Sequence, residues 1–250
     1  MSFDRASVDA FIGSFVEPAA ATSILDIGCG RGLDLLRLGA AAPQHARLTG
    51  VDASTKSIEA ARAAAGDDPR FTFIAHDISA GLPFGDGQFD CVLSVNLLEC
   101  VPDKQRLLRE VHRVLAADGT VVFAHFDWDS QVVDGHDKDL VRRIVHTFAD
   151  WKQAWMDDVD AWIGRRLWRT FQTAGLFQGA VHASVLTETR FEPGAYGHDT
   201  IEGFRALVRR GMIRAEEYDA FRSALDELAA SDRFLYAITM YVYAGVRRAV

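Results

Sequence analysis

The chain has 250 residues, enough to bury a substantial core as one large domain or as a domain with an insertion. Its residues are 49% hydrophobic and 25% charged, a balance that excludes a disordered chain. The formal net charge of -8 excludes a general attraction to nucleic acid or to an anionic membrane surface.

Residues 1–15 bring in Asp4, Arg5 and Asp9 before any long apolar segment forms, so no secretory signal is expected there. The stretch "DRASVDAFIGSF" (residues 4–15) has helical spacing. "SILDIG" reads as a buried strand ending in glycine and "LDLLRLGAAA" as a helix. "ARLTGVD" is a second strand, and "STKSIEAARAAAG" a helix for which Ser54 or Thr55 is the cap and Gly66 the end. "FTFIAHD" and "FDCVLSVN" are the third and fourth strands. "KQRLLREVHRVLAADG" (residues 104–119) is an amphipathic helix, and "GTVVFAHF" the fifth strand. Strand and helix alternate with short connections from residue 23 to 126, which predicts a parallel sheet covered by helices on both faces.

Beyond Phe126 the pattern changes. Residues 137–174 look helical and carry Trp151, Trp155, Trp162 and Trp168, so a helical insertion over about 127–175 is expected to act as a lid. "GAVHASVLTETRF" reads as a strand, "DTIEGFRALVRRG" and "AEEYDAFRSALDELAAS" as one helix each, and "RFLYAITMYVYAGVR" as a final strand. Its apolar run, residues 235–246, is too short to span a bilayer as a helix, and no membrane insertion is expected. Cys29, Cys91 and Cys100 are odd in number and irregularly spaced, and read as free thiols of a reducing, cytoplasmic compartment. The whole reads as a single domain over 1–250, with its core at about 20–126 and 176–250.

The chemistry concentrates at strand ends. "ILDIGCGRGLD" (residues 24–34) is D-x-G-x-G-x-G. A dinucleotide fingerprint would place its third glycine at position 33, which is Leu. Asp26 lies inside the strand, a poor place for packing but useful beside a ligand ammonium. Asp52, in "GVDAS", is placed to accept both hydroxyls of a ribose, a signal that nicotinamide dinucleotides and S-adenosylmethionine share. Asp77, in "AHDIS", could accept from an adenine amino group with Ile78 packed on the ring, or cap a turn.

Through "ILDIGCGRG", "GVDAS", "AHDIS" and the stretch from "FDCVLSVNLLECVPDK" to "FAHFDWD", the chain resembles class I S-adenosylmethionine-dependent methyltransferases, especially the ubiquinone/menaquinone-biosynthesis-like small-molecule branch. The resemblance implies an α/β, Rossmann-like seven-stranded and mostly parallel sheet whose last strand is antiparallel. It implies that Asp26 and the backbone of Gly28, Cys29 and Gly30 hold the methionine part of the donor. Asp52 would hold the ribose, Ala53 would border the adenine, and Asp77 and Ile78 would recognise it. Asn96 and Leu97 would lie beside the ligand, and S-adenosylhomocysteine would be the product.

No Pro-Pro occurs, so the motif of enzymes that methylate exocyclic amines on nucleic acid is missing, and a small-molecule acceptor is the expected partner. Transfer is then an in-line displacement by N, O or C of that acceptor, driven mainly by proximity and orientation. His125, near the end of the fifth strand, is a candidate base because the resemblance implies a substrate beyond that end, with Asp127 beside it. Trp128, Trp151, Trp155 and Trp162 are candidates for a hydrophobic acceptor pocket. On that division, Trp155→Ala is expected to spare donor binding. The His and Asp residues over 125–137 match no ligand spacing, so no metal is expected. Two other readings stay open, an NAD-dependent oxidoreductase and a cofactor-binding pseudoenzyme. The oligomeric state is unassigned.

Overall fold

The computed structural model describes residues 5–17 and 20–249. In chain order these form α1 (Arg5–Gly13), β1 (Ser23–Ile27), α2 (Leu33–Ala41), β2 (Arg47–Asp52), α3 (Thr55–Ala65), β3 (Phe71–Ala75), β4 (Phe89–Val95), α4 (Lys104–Val114) and β5 (Leu115–Phe126). There follow β6 (Val132–Val133), α5 (Lys138–Ala149), α6 (Ile163–Ala174), β7 (Phe177–Glu188), α7 (Tyr196–Gly203), α8 (Arg205–Arg209), α9 (Ala215–Ala230) and β8 (Tyr236–Arg247). The first helix carries Val8 and Ile12 on its buried face. Asp4, where the sequence begins that helix, lies outside the described residues.

All five residues of β1 are buried, as a central parallel strand covered on both faces requires. Ile24 packs with α1, α2 and α3, whereas Leu25 and Ile27 pack with α4 and α6, so the pleat of one strand feeds two cores. Ser54 caps α3 by accepting the Ser57 N–H at 3.2 Å, and Gly66 ends it at φ 60°. Both positions were legible from the sequence.

The strands run in the order β3-β2-β1-β4-β5-β8, parallel through β5, with β8 antiparallel to β5. On its other edge β8 pairs antiparallel along its whole length with β7. The sheet therefore has eight strands rather than seven. The extra one, β6, pairs with Ala237 and Tyr236 of β8, continuing along the edge that β5 occupies up to Met240. A two-residue strand has no periodicity to read, and it falls where a helical lid was expected.

Two helices end differently from their sequence pattern. The amphipathic period over 104–119 stops at Val114, because Leu115 enters the sheet opposite Phe89 and its carbonyl accepts from Arg247 Nη1 at 2.5 Å. The helix expected over 199–211 breaks into α7 and α8 at Phe204, which is buried against Phe148 with ring centroids 4.5 Å apart.

Within the segment 127–175, α6 is a layer of the core. Its Ile163, Leu167 and Phe171 pack on the sheet, and Phe171 stacks on Tyr243 with centroids 3.8 Å apart. The order of strands reverses between β1 and β4, so the crevice beyond their C-terminal ends is the place this topology offers a ligand. Among the described residues no helix is long and apolar enough to cross a membrane.

Candidate functional site

The turn after β1 opens the crevice. Its N–H groups are spent inside the protein: Gly28 and Cys29 both donate to the Val51 carbonyl, at 2.8 and 3.1 Å, and Gly30 donates to Asp52 Oδ2 at 2.9 Å. The turn therefore offers a ligand no free N–H from these three residues, and any backbone contact from them falls to their carbonyls. What it offers is closeness. Gly30 has φ +52° and nothing within 4 Å of where a Cβ would sit, whereas a Cβ on Gly28 would lie 2.9 Å from Leu97 Cδ1.

Beneath the turn, Asp26 is 1% exposed, and its Oδ2 is buried with no hydrogen-bond partner. Burial pushes this carboxyl well above its usual range, and the neighbouring charges of Asp34 and Asp52 push the same way. An acceptor left unpaired in the core is costly unless a donor arrives. A ligand ammonium is such a donor.

Asp52 ends β2 and is fixed before any ligand comes, with Oδ2 on the Gly30 N–H and Oδ1 on the Ser54 N–H at 2.8 Å. Each carboxylate oxygen has a second lone pair, so the pair of oxygens can still take two hydroxyls. Asp77 caps the 3-10 turn over Ile78–Ala80, accepting the Ser79 N–H at 2.8 Å. That bond holds its carboxyl below the usual range.

These residues meet around one cavity of about 290 Å³, whose wall takes in Gly28, Asp52, Ala53, Asp77, Ile78 and Leu97. Asp26, Cys29, Gly30 and Asn96 stand outside that wall. The rest of the wall includes Cys100, Val101, Pro102, Arg106, Leu107 and Glu110, together with Trp155 and Asp157. Glu110 is gripped by Arg113, which holds its carboxyl down at about 2, and it receives the Leu82 N–H at 2.9 Å. The loop carrying Trp155 is moored next to this wall, since Lys104 Nζ reaches both the Val101 carbonyl at 2.9 Å and Asp158 at 3.3 Å.

Of the four tryptophans expected in an acceptor pocket, Trp155 lines the cavity that also holds Asp52 and Asp77. It is 67% exposed and its indole N–H donates to Gln153 Oε1 at 3.0 Å. Trp162 is 44% exposed and lies under the guanidinium groups of Arg165 and Arg166. Trp151 packs against Phe148 in the core beneath α5. Trp128 lines a second, open hollow of about 390 Å³ with Arg5, Tyr196 and Thr200.

The other candidates have structural partners. Asn96, at φ +53°, accepts the Phe126 N–H on its Oδ1 at 2.9 Å and so ties the tip of β4 to that of β5. Asp127 accepts the Arg165 backbone N–H at 3.0 Å and its Nε at 2.6 Å. His125 is 1% exposed, on neither cavity, with Nδ1 on the Phe126 carbonyl at 2.6 Å and Nε2 unpartnered. Burial drops its pKa to about 4, so the ring is neutral at pH 7.

Sequence reasoning passed over Glu99. It follows β4 in a 3-10 turn over Leu98–Cys100 and is 7% exposed. Burial raises its carboxyl to about 7, against the pull of a hydrogen bond with Trp128. The signal available was a single carboxylate in the apolar run "NLLECV".

Residues 25–123 match the family described as a methyltransferase domain. The chain is 33% identical over 222 residues to an uncharacterized 37.1 kDa protein in transposon TN4556 of Streptomyces fradiae, covering 88% of this chain and 61% of that protein. It is 29% identical over 137 residues to ajmaline N-methyltransferase of Rauvolfia serpentina, covering 53% of this chain and 46% of the relative. It thus spans about half to three-fifths of the length of these curated relatives. Among solved structures it is similar to geranyl diphosphate C-methyltransferase of Streptomyces coelicolor A3(2) bound to Mg2+, geranyl diphosphate and S-adenosyl-L-homocysteine. The TM-score is 0.56 at 17% identity, covering 97% of this chain and 80% of the other.

Proposed function

We propose that this chain is a class I S-adenosylmethionine-dependent methyltransferase that transfers the methyl group of S-adenosylmethionine to a small-molecule acceptor, a reading supported by the match of residues 25–123 to a methyltransferase domain. The observation that carries the proposal is Asp26, a buried carboxylate with an unpartnered oxygen under a crevice that also gathers Asp52 and Asp77. When bound, the donor supplies an electrophilic methyl on a sulfonium. This chain's own residues hold it: Asp26 pairs with the ammonium, Asp52 takes the ribose hydroxyls, and Asp77 and Ile78 meet the adenine. Leu97 borders the donor, and Trp155 covers its adenine end.

Acceleration by alignment alone is worth up to about 7–11 kcal/mol, so no protein nucleophile is required. The tip of β4 and the turn after β5 flank the place where methyl and acceptor meet. The segment 150–162 is the part of the expected lid that reaches the cavity, while α6 supports it from the core. Three free cysteines suit a reducing compartment, in keeping with action in the cytoplasm.

Specific features weigh against a nicotinamide dinucleotide. A pyrophosphate needs free N–H groups at the glycine turn, and those of Gly28, Cys29 and Gly30 are already donated. The cavity wall also carries Asp52, Asp77, Asp103, Glu110 and Asp157 against one arginine, Arg106, an acidic lining that favours a sulfonium and repels phosphates. Calorimetry with S-adenosylhomocysteine and with NAD tests the cofactor; binding of NAD alone would reject the proposal. Incubation with label on the donor methyl and a metabolite extract tests turnover. Tight donor binding with no labelled product from any extract would favour a pseudoenzyme.

A further inference from the structure

The open hollow on the β5 side of the molecule is built differently from the donor cavity. Arg5, Trp128, Gly194, Tyr196, Asp199 and Thr200 line it. The Phe126 ring packs behind, with centroids 5.9 Å from Trp128 and 4.9 Å from Tyr196, and the Arg5 guanidinium lies 5.7 Å from the centre of the Tyr196 ring. Arg5 is paired with Asp9 at 2.8 Å and Asp199 with His198 at 3.0 Å, so the hollow presents aromatic surface, hydroxyls and one carboxylate rather than a net cation.

Glu99 is buried and on neither wall, but its neighbours belong to both spaces. Its sequence neighbour Cys100 and the nearby Leu97 line the donor cavity, while Trp128, its hydrogen-bonding partner, and Tyr196, whose ionisation its charge opposes, line the hollow. Among the described residues none uses this carboxylate as a cap or an ion pair; the charged group that acts on it from the neighbouring loop is Asp160, which opposes its ionisation.

We propose that the hollow seats a flat aromatic acceptor bearing a hydroxyl group and that Glu99 takes the hydroxyl proton during transfer, an inference that rests on the methyltransferase reading. The acceptor oxygen forms its bond to the methyl carbon as the carbon–sulfur bond breaks. The bonding pair goes to sulfur, giving the neutral thioether, and the proton goes to the Glu99 carboxylate. A carboxyl held near 7 is suited to this, because a base works best when its pKa lies near the working pH. A neutral amine acceptor would present its lone pair without such help.

The test uses the full chain, donor labelled in its methyl group, and a panel of naphthols, hydroxycoumarins and hydroxyquinolines. The wild type is expected to place label on the phenolic oxygen. Glu99→Gln should lower kcat about a hundredfold or more, leave S-adenosylhomocysteine affinity within twofold, and remove the acid limb near pH 7 from the kcat profile. Glu99→Asp should recover part of kcat. Trp128→Ala should raise KM for the acceptor more than it lowers kcat. Unchanged affinity for S-adenosylhomocysteine shows that each variant is folded. Failure to bind or methylate any of these hydroxyarenes while S-adenosylhomocysteine binds overturns the inference, as does a Glu99→Gln enzyme with unchanged kcat. Absence of S-adenosylhomocysteine binding by the wild type would instead strike the methyltransferase reading beneath it.

Discussion

Asp127 and Arg165 are joined by three hydrogen bonds, because the Asp127 carboxylate takes the Nε, the Nη2 and the backbone N–H of Arg165, at 2.6, 2.5 and 3.0 Å. The backbone bond satisfies one of the orphan donors in the first turn of α6, so a residue at the end of β5 serves as a remote cap for a helix that begins 36 positions later. Gly164 makes the approach possible: a Cβ there would stand 2.9 Å from Asp127 N and Cβ. Gly164→Ala is expected to cost about 1–3 kcal/mol from overpacking against backbone. Asp127→Asn should cost about 2–3 kcal/mol by weakening a buried charge-assisted bond. Chemical denaturation measures both. Loss of S-adenosylhomocysteine binding by folded Asp127→Asn protein would return Asp127 to the reactive site.

Asp26→Asn should move two quantities in opposite directions. Its carboxyl is raised by burial, so the folding stability it permits is present at low pH and lost as pH rises through its folded value. The amide removes that loss, and the free protein should melt higher at pH 8 than the wild type. Donor affinity should fall tenfold or more, since a charge-assisted hydrogen bond is worth about 1.5–3 kcal/mol. Melting curves without ligand and calorimetry with S-adenosylhomocysteine read the two arms. Unchanged affinity would remove Asp26 from the donor site.

Trp155→Ala should weaken S-adenosylhomocysteine binding about three- to tenfold, the loss that goes with about 0.5–1.5 kcal/mol of aromatic stacking. The expectation from sequence is that donor binding survives this change; the different outcome is expected here because Trp155 lines the cavity shared with Asp52 and Asp77. Equal affinities in the two proteins would restore the earlier division.

His125 should show as an acid-labile point of the core. Its pKa falls from 6.5 to about 4 on burial, so the unfolded chain takes up a proton first, and stability present above pH 6.5 is lost as pH falls toward 4. The full effect is on the order of 3 kcal/mol. His125→Phe should lose less stability than the wild type between pH 7 and 4.5. Parallel curves would mean that the ring reaches solvent.

The strand ends that meet at the cavity were legible because each of their parts is local. β1 runs into a glycine turn, β2 ends in the carboxylate of Asp52, and the parallel sheet sets those ends side by side. Three other features depended on distant partners. The early end of α4 is set by Phe89 and Arg247, the second role of Asp127 by Arg165, and the sharing-out of the tryptophans by a loop without periodicity. Glu99 was missed because its meaning lies in Trp128 and Tyr196, which follow it by 29 and 97 positions in the sequence.

Asn96 is a small amide with a large consequence. By taking the Phe126 N–H it fixes the spacing between the strand tip that leads to Leu97 and the one that leads to Trp128. A change at the start of the turn after β5 is thereby felt at the tip of β4, because the Asn96 side chain, with its backbone N–H on the Ala124 carbonyl at 2.9 Å, carries the pairing of the two strands past their ends.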